Sequence, residues 1–203
     1  MITIEKLLSI DKNEMGEASK TIDQNDIPQL VKWLSEKDDK IRYQALLLLQ
    51  NRSLHNKDVY PFWDIFKNKL RSENSYQRSI GLMLIANNSK WDDENKLDDT
   101  IDNYLSLLDD EKPITVRQCI QALSDIIPYK SQMHHKIANR LMSINISDIK
   151  ETMRKLTLID ILNILILIRK YNTTDEIESY IFNALSGEIL DKKAKKQIES
   201  SIK

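Results

Sequence analysis

Residues Ile27 to Asn51 read IPQLVKWLSEKDDKIRYQALLLLQN. Asp26 stands just ahead of the stretch, with Pro28 in the first turn and Gln29 three residues on, the pattern of a capping box at a helix start. Ile27, Leu30, Val31 and Leu34 then fall on one side of a helix, with Trp33 beside them. The polar turn SEKDDK breaks this helix. A second one is predicted from about Lys40 to Asn51, with Ile41, Ala45, Leu48 and Leu49 at helical spacing. Small Ala45 lets two helices approach closely, and Arg42 precedes it by three residues. The arginine recurs as Arg78, Arg117 and Arg154, at intervals of 36, 39 and 37 residues. A period near 37 predicts hairpins that stack because none can bury its apolar face alone.

Working outward, hairpins are expected at about 26–52, 58–89, 97–128 and 131–171, with an N-terminal capping segment over 1–25 and a C-terminal helical cap over 173–203. In the second hairpin a helix is expected over 59–70 with Phe62, Ile65, Phe66 and Leu70 inward, and Asn74 and Gln77 form a capping box before Arg78. Gly81 takes the place of Ala45. Pro113 gives the second helix of the third hairpin a sharp start. In the fourth, Ser147 is the expected N-cap of a helix reaching about Tyr171. That helix is apolar nearly all round, so residues 173–203 are expected to fold over it. Thr173 with Glu176 forms another capping signal, and the KKAKK and SSIK tracts are expected to fray.

Composition agrees with helices. The 203 residues are 41% hydrophobic and 30% charged, with three glycines and four prolines, which disfavours both disorder and an all-β fold. Thirty basic and 31 acidic residues give a formal charge of -1, so no global field draws in a phosphate backbone. The single cysteine, Cys119, allows neither an internal disulfide nor a cysteine-built metal site and points to a reducing compartment. The start MITIEKLLSIDK lacks a secretory pattern, and the apolar run Leu156 to Ile168 is interrupted by Asp160 and Asn163 and falls short of the roughly 20 residues of a membrane helix. A soluble cytoplasmic protein is expected.

The aligned turns carry a resemblance. Glu36 lies six residues before Arg42, Glu111 six before Arg117 and Asp148 six before Arg154; the second turn departs, with Ser72 at that place and Glu73 one later. From Ile27 to Tyr171 the chain resembles the HEAT-repeat family of armadillo-type α-solenoids. The resemblance implies an all-α fold, a right-handed α-α superhelix of about four to five HEAT-like hairpins. It also implies a structural ladder in which the turn acids Glu36, Glu111 and Asp148 pair with Arg42, Arg78, Arg117 and Arg154. By the same analogy the second helices line a concave groove.

Aligned on the arginines, Tyr43, Ser79, Gln118 and Lys155 form one row of that groove, and Leu47, Met83, Ala122 and Ile159 a second. Gln50, Asn87, Asp125 and Asn163 would flank the apolar row. Apolar area with few cations suits a protein or peptide better than a phosphate backbone. The other reading has the second row packed against the next repeat.

Other candidates are weaker. Trp91 and Asp92 in KWDDENKLDD, with Asp160, could imitate HEAT-like alkylpurine DNA glycosylases, but such enzymes need a basic groove and the charge here is negative. Asp160, spaced at three residues from Thr157 and Asn163, is either part of a polar stripe or a buried partner for Arg117 or Arg154. Adjacent His134 and His135 diverge by about 100 degrees on a helix and cannot clasp one metal. Cys119 reads as core filling. Neither a glycine-rich phosphate loop nor a nucleophile elbow is present. The expectation is a non-enzymatic scaffold without cofactor, metal, membrane or small-molecule substrate, whose partner is a protein or peptide. The alternative is a DNA-binding or glycosylase-type protein.

Overall fold

The computed structural model describes residues 1–202; Lys203, the last residue of the expected C-terminal cap, lies outside them. Every regular element among the described residues is helical. None of these helices is long and apolar enough to cross a membrane. The chain forms two compact units, Met1–Tyr104 and Leu105–Lys203.

The first unit contains α1 (Ile4–Ser9), α2 (Met15–Thr21), α3 (Ile27–Trp33), α4 (Asp39–Ser53), α5 (Trp63–Lys69) and α6 (Ser75–Asn88), and α7 (Ile101–Leu105) begins at its end. Side-chain oxygens start the longer helices. Asp38 accepts from the Lys40 and Ile41 amides ahead of α4, and Asn74 accepts from the Tyr76 amide ahead of α6. The capping box expected at Asp26 is built otherwise: a 3-10 turn over Gln24–Asp26 leads into α3, and its cap is Asp23, which accepts from the Asn25 amide. Asp26 itself is already in a helical conformation, so it does not adopt the extended backbone of a capping residue.

The core of this unit lies between paired helices. Helix α3 packs on α4, α5 on α6 and α4 on α6, burying Leu30, Leu34, Leu48, Leu49, Trp63, Phe66, Leu82 and Ile85. Ile65 was expected inward and is instead 45% exposed, while Trp63 is fully buried. The 3-10 turn over Tyr60–Phe62 explains this, since its tighter pitch changes the phase at which α5 begins. Gly81 is required by the α5–α6 approach: a Cβ there would sit 2.7 Å from the Phe66 carbonyl oxygen and 3.1 Å from Lys69 Cβ.

Polar bonds between neighbouring hairpins repeat at a common offset. Gln50 Nε2 donates to Asn87 Oδ1 at 3.0 Å, 37 residues apart, and Asn88 Nδ2 to Ser53 Oγ at 3.1 Å, 35 apart. Trp63 Nε1 reaches Thr100 Oγ1 at 3.1 Å, again 37 apart. The arginine period thus reappears as contact distance along the chain.

The second unit is organised around α10 (Glu151–Arg169), against which α8 (Pro113–Ala122), α9 (His134–Met142), α11 (Asp175–Ser186) and α12 (Lys192–Ile202) all pack. Its nearly all-round apolar surface is covered accordingly, with Leu158, Ile161, Leu162, Ile164, Leu165 and Ile168 buried. The caps again differ by a few residues from expectation. Ser147 lies in a 3-10 turn capped by Asn145, and Thr174 rather than Thr173 accepts from the Ile177 amide at the start of α11. The KKAKK tract and the serines after it are helical. Ala194 and Ile198, four residues apart, are buried in α12, and Asp191 Oδ1 accepts from the Ala194 amide at 2.8 Å, so a packed stripe holds a segment whose charge suggested fraying.

Candidate functional site

Three of the four repeat arginines do the same work, and the acids are not the expected ones. Arg42 Nη1 donates to the Glu36 carbonyl oxygen at 2.8 Å, and its Nη2 pairs with the Asp39 carboxylate. Arg78 Nη1 reaches the Ser72 and Glu73 carbonyls at 2.8 and 2.9 Å, and Arg154 reaches the carbonyls of Ile149 and Ser147 at 2.8 and 2.7 Å. Each of these guanidinium groups folds back on its own turn and satisfies carbonyls that the turn leaves without a helical partner. The ladder expected from Glu36, Glu111 and Asp148 is therefore corrected. Glu36 contributes its backbone to Arg42, the Glu111 carboxylate sits 3.3 Å from Lys112, and Asp148 accepts from Asn145 at 3.0 Å. A flexible acid in a polar turn gains little by leaving water, whereas an immobile carbonyl has no such choice.

Arg117 is the exception. Its Nε and Nη2 donate to the two carboxylate oxygens of Asp160 at 2.6 and 3.2 Å, and Gln121 Nε2 adds a bond of 3.0 Å to the same group. Asp160 is buried, so the sequence alternatives are settled for the ion pair and against a groove stripe.

In the first unit, α4 and α6 present the side chains of the expected binding face. Tyr43 is 46% exposed, with Lys12 Nζ 4.9 Å from its ring centre, while Leu47 and Met83 are half-buried among neighbours that are fully covered. Gln50 and Asn87, the expected polar rim, are half-buried and bonded to each other. In the second unit Gln118 and Ile159 are half-buried on α8 and α10, and Asn163 is exposed on α10. Asp125 is exposed too, but it belongs to a 3-10 turn past the end of α8, which removes it from that helix face.

The residues of the DNA-processing alternative are occupied by structure. Asp92, buried, accepts from Tyr60 Oη at 2.8 Å and from the Lys96 and Leu97 amides at 2.8 and 3.0 Å. Burial, with the bond to Asp92, pushes the Tyr60 phenol well above its usual range. Trp91 Nε1 donates to the Ser53 carbonyl at 2.8 Å. His134 is buried with Nε2 2.8 Å from the Ile127 carbonyl, while His135 is exposed. Cys119 is fully buried, and burial raises its thiol far above the ordinary value, which suits a core residue rather than a nucleophile. Among the described residues, no group of three or more His, Cys, Asp or Glu side chains is placed to hold a metal.

Family models and curated proteins give no match to this chain. Among solved structures, the crystal structure of an engineered protein, a target of the Northeast Structural Genomics Consortium, is similar over 100% of this chain and 96% of its own, at 16% identity and a TM-score of 0.53. The likeness is one of fold alone.

Two clefts lie at the turn ends of the hairpins, and sequence reasoning anticipated neither. One, of about 640 Å³, is in the first unit between the turns that follow α3 and α5, lined among others by Arg42, Lys69, Tyr76 and Gln77. The other, of about 530 Å³, is in the second unit and includes Asp109, Arg140, Asn145 and Thr157. In the second cleft Arg140 Nη2 is already held by Asp109 at 2.6 Å. Lys69 of the first is only 9% exposed. A lysine near a helix end carries no sequence signal that it will be buried.

Proposed function

We propose that the chain is a HEAT-like binding scaffold, not an enzyme, which presents the α4–α6 face to an amphipathic peptide segment of a protein partner. The observation that carries this reading is the row of half-buried Leu47 and Met83, with exposed Tyr43 beside it and the bonded Gln50–Asn87 pair along its edge. Apolar side chains that remain partly open on otherwise packed helices offer a partner area to cover, and the amides set its register. Hairpins bonded at an offset of 35 to 37 residues support a HEAT-like arrangement, and a rigid array holds such a surface without paying to order it on binding. A single buried thiol accords with a reducing, cytoplasmic setting.

The test uses peptides selected from a displayed random library against the full chain. Leu47→Asp with Met83→Asp should weaken the selected peptides by about a hundredfold, a hot-spot loss of about 3 kcal/mol, while leaving the helical circular-dichroism signal intact. Unchanged affinity in that variant would mean that the peptide does not lie on the α4–α6 face. A labelled DNA duplex serves as the second arm: binding that falls steeply with salt and survives the double substitution favours the nucleic-acid alternative.

A further inference from the structure

Lys69 closes α5 and is more than nine-tenths buried. Its ammonium has three N–H donors. One goes to Ser35 Oγ at 3.0 Å, and a second to Gln77 Oε1. Gln77 cannot turn away, because its Nε2 donates to the Leu34 carbonyl at 2.8 Å, which keeps the amide oxygen on the lysine. Both acceptors are neutral, and the third donor is left for the cleft that Lys69 lines. Buried cations are ordinarily matched by an anion, since removing the charge from water is otherwise costly. Here the charge that acts on Lys69 is another cation: burial and then the field of Arg42 both hold its ammonium below the ordinary lysine value.

Arg42 lines the same cleft, stacked 5.5 Å from the Tyr76 ring centre. Its Asp39 partner is 83% exposed at the side chain, so solvent screens that pair. The cationic lining groups Lys37, Arg42 and Lys69 outnumber the carboxylates Glu36 and Asp39. Tyr76 and Ile65, 66% and 45% exposed, supply apolar surface to the same lining.

We propose that this cleft binds an oxyanion, a carboxylate or phosphate group carried on an apolar substituent, with Lys69 and Arg42 as its charged donors. The third ammonium N–H and those Arg42 N–H groups that Glu36 and Asp39 do not take meet the oxygens, and the substituent lies on Tyr76 and Ile65. Arg42 and Tyr76 stand on the first turns of α4 and α6, but the cleft shares no lining residue with the Tyr43, Leu47, Gln50, Met83 and Asn87 face, so substitutions in one leave the other's residues in place.

Backbone amide NMR of the full chain tests the proposal with three probes: inorganic phosphate, N-acetylphenylalanine and N-acetylphenylalanine amide. Saturable shifts confined to amides of the two turns, near residues 35–42 and 72–77, are expected for phosphate, for the free acid, or for both. Phosphate alone assigns a phosphate ligand, and the free acid with a silent amide assigns a carboxylate. Lys69→Met should weaken binding by about tenfold or more, as removal of a buried charged donor does, while Lys32→Met on the exposed side of α3 leaves it unchanged. Acylation of Lys69 in the unmodified protein should slow when the binding anion saturates, a readout that does not depend on the variant folding. The proposal is overturned if no probe gives saturable shifts at these turns, if the amide binds as well as the acid and phosphate is silent, or if Lys69 acylation is indifferent to the anion.

Discussion

Arg117 on α8 and Asp160 on α10 meet in a two-bond fork, with Nε to Oδ2 at 2.6 Å and Nη2 to Oδ1 at 3.2 Å. The side chains are 23% and 8% exposed, so the pair is largely out of water and each charge depends on the other. Asp160→Ala should cost about 3 kcal/mol in urea unfolding, because it strands a guanidinium against an apolar helix. Arg117→Met with Asp160→Leu, which leaves no charge behind, should recover most of that loss. A single substitution costing under about 0.5 kcal/mol would mean the pair behaves as a surface one.

Gly81 yields a second prediction, since the Cβ of Gly81→Ala would lie 2.7 Å from a backbone oxygen that cannot rotate aside. Ala normally improves a helix by about 1 kcal/mol over Gly. Here the substitution should instead destabilise by about 1–3 kcal/mol through overpacking of α5 on α6. A stabilised variant in thermal or urea unfolding would show that the two helices separate easily.

Much of the helical layout was legible because it rests on patterns that backbone geometry enforces. The Arg42 period, Pro113 at the start of α8 and the small residues Ala45 and Gly81 all mark positions that local sterics restrict. Polar pairing was less legible. Arg52 holds Asp58 through bonds of 2.7 to 3.2 Å and also reaches the Ser19 carbonyl at 2.9 Å, forming a buried network that no repeat position announces. Which carboxylate an arginine finds depends on tertiary neighbours, and Asp160 is 43 residues from Arg117. The 3-10 turns at Tyr60–Phe62 and Leu123–Asp125 moved Ile65 and Asp125 off their expected faces, because their tighter pitch is invisible to a search at 3.6 residues per turn.

Cys119 sets a pH dependence. Burial raises its thiol above the ordinary value of 9.0, so the folded chain keeps the proton after the unfolded chain has lost it. That contribution to stability is fully present below 9.0 and is lost as pH rises beyond it, by about 1.4 kcal/mol per pH unit for one proton. Cys119→Ala should therefore show a shallower decline of unfolding free energy between pH 9 and 11 than the parent chain. Identical slopes would place the thiol in contact with solvent. Lys69, held low, works with the opposite sign: its contribution is present above the ordinary value of 10.5 and falls away as pH drops through its lowered one, so the comparison must be made between variants.

The face formed by α4 and α6 is the proposed seat of a partner peptide. The most direct measurement is the map of backbone and methyl NMR shifts when a library-selected peptide saturates the full chain. The largest changes are expected at Tyr43, Leu47, Gln50, Met83 and Asn87, with the amides of α11 and α12 undisturbed. Shifts concentrated on α11 and α12, with Leu47 and Met83 unmoved, would contradict it.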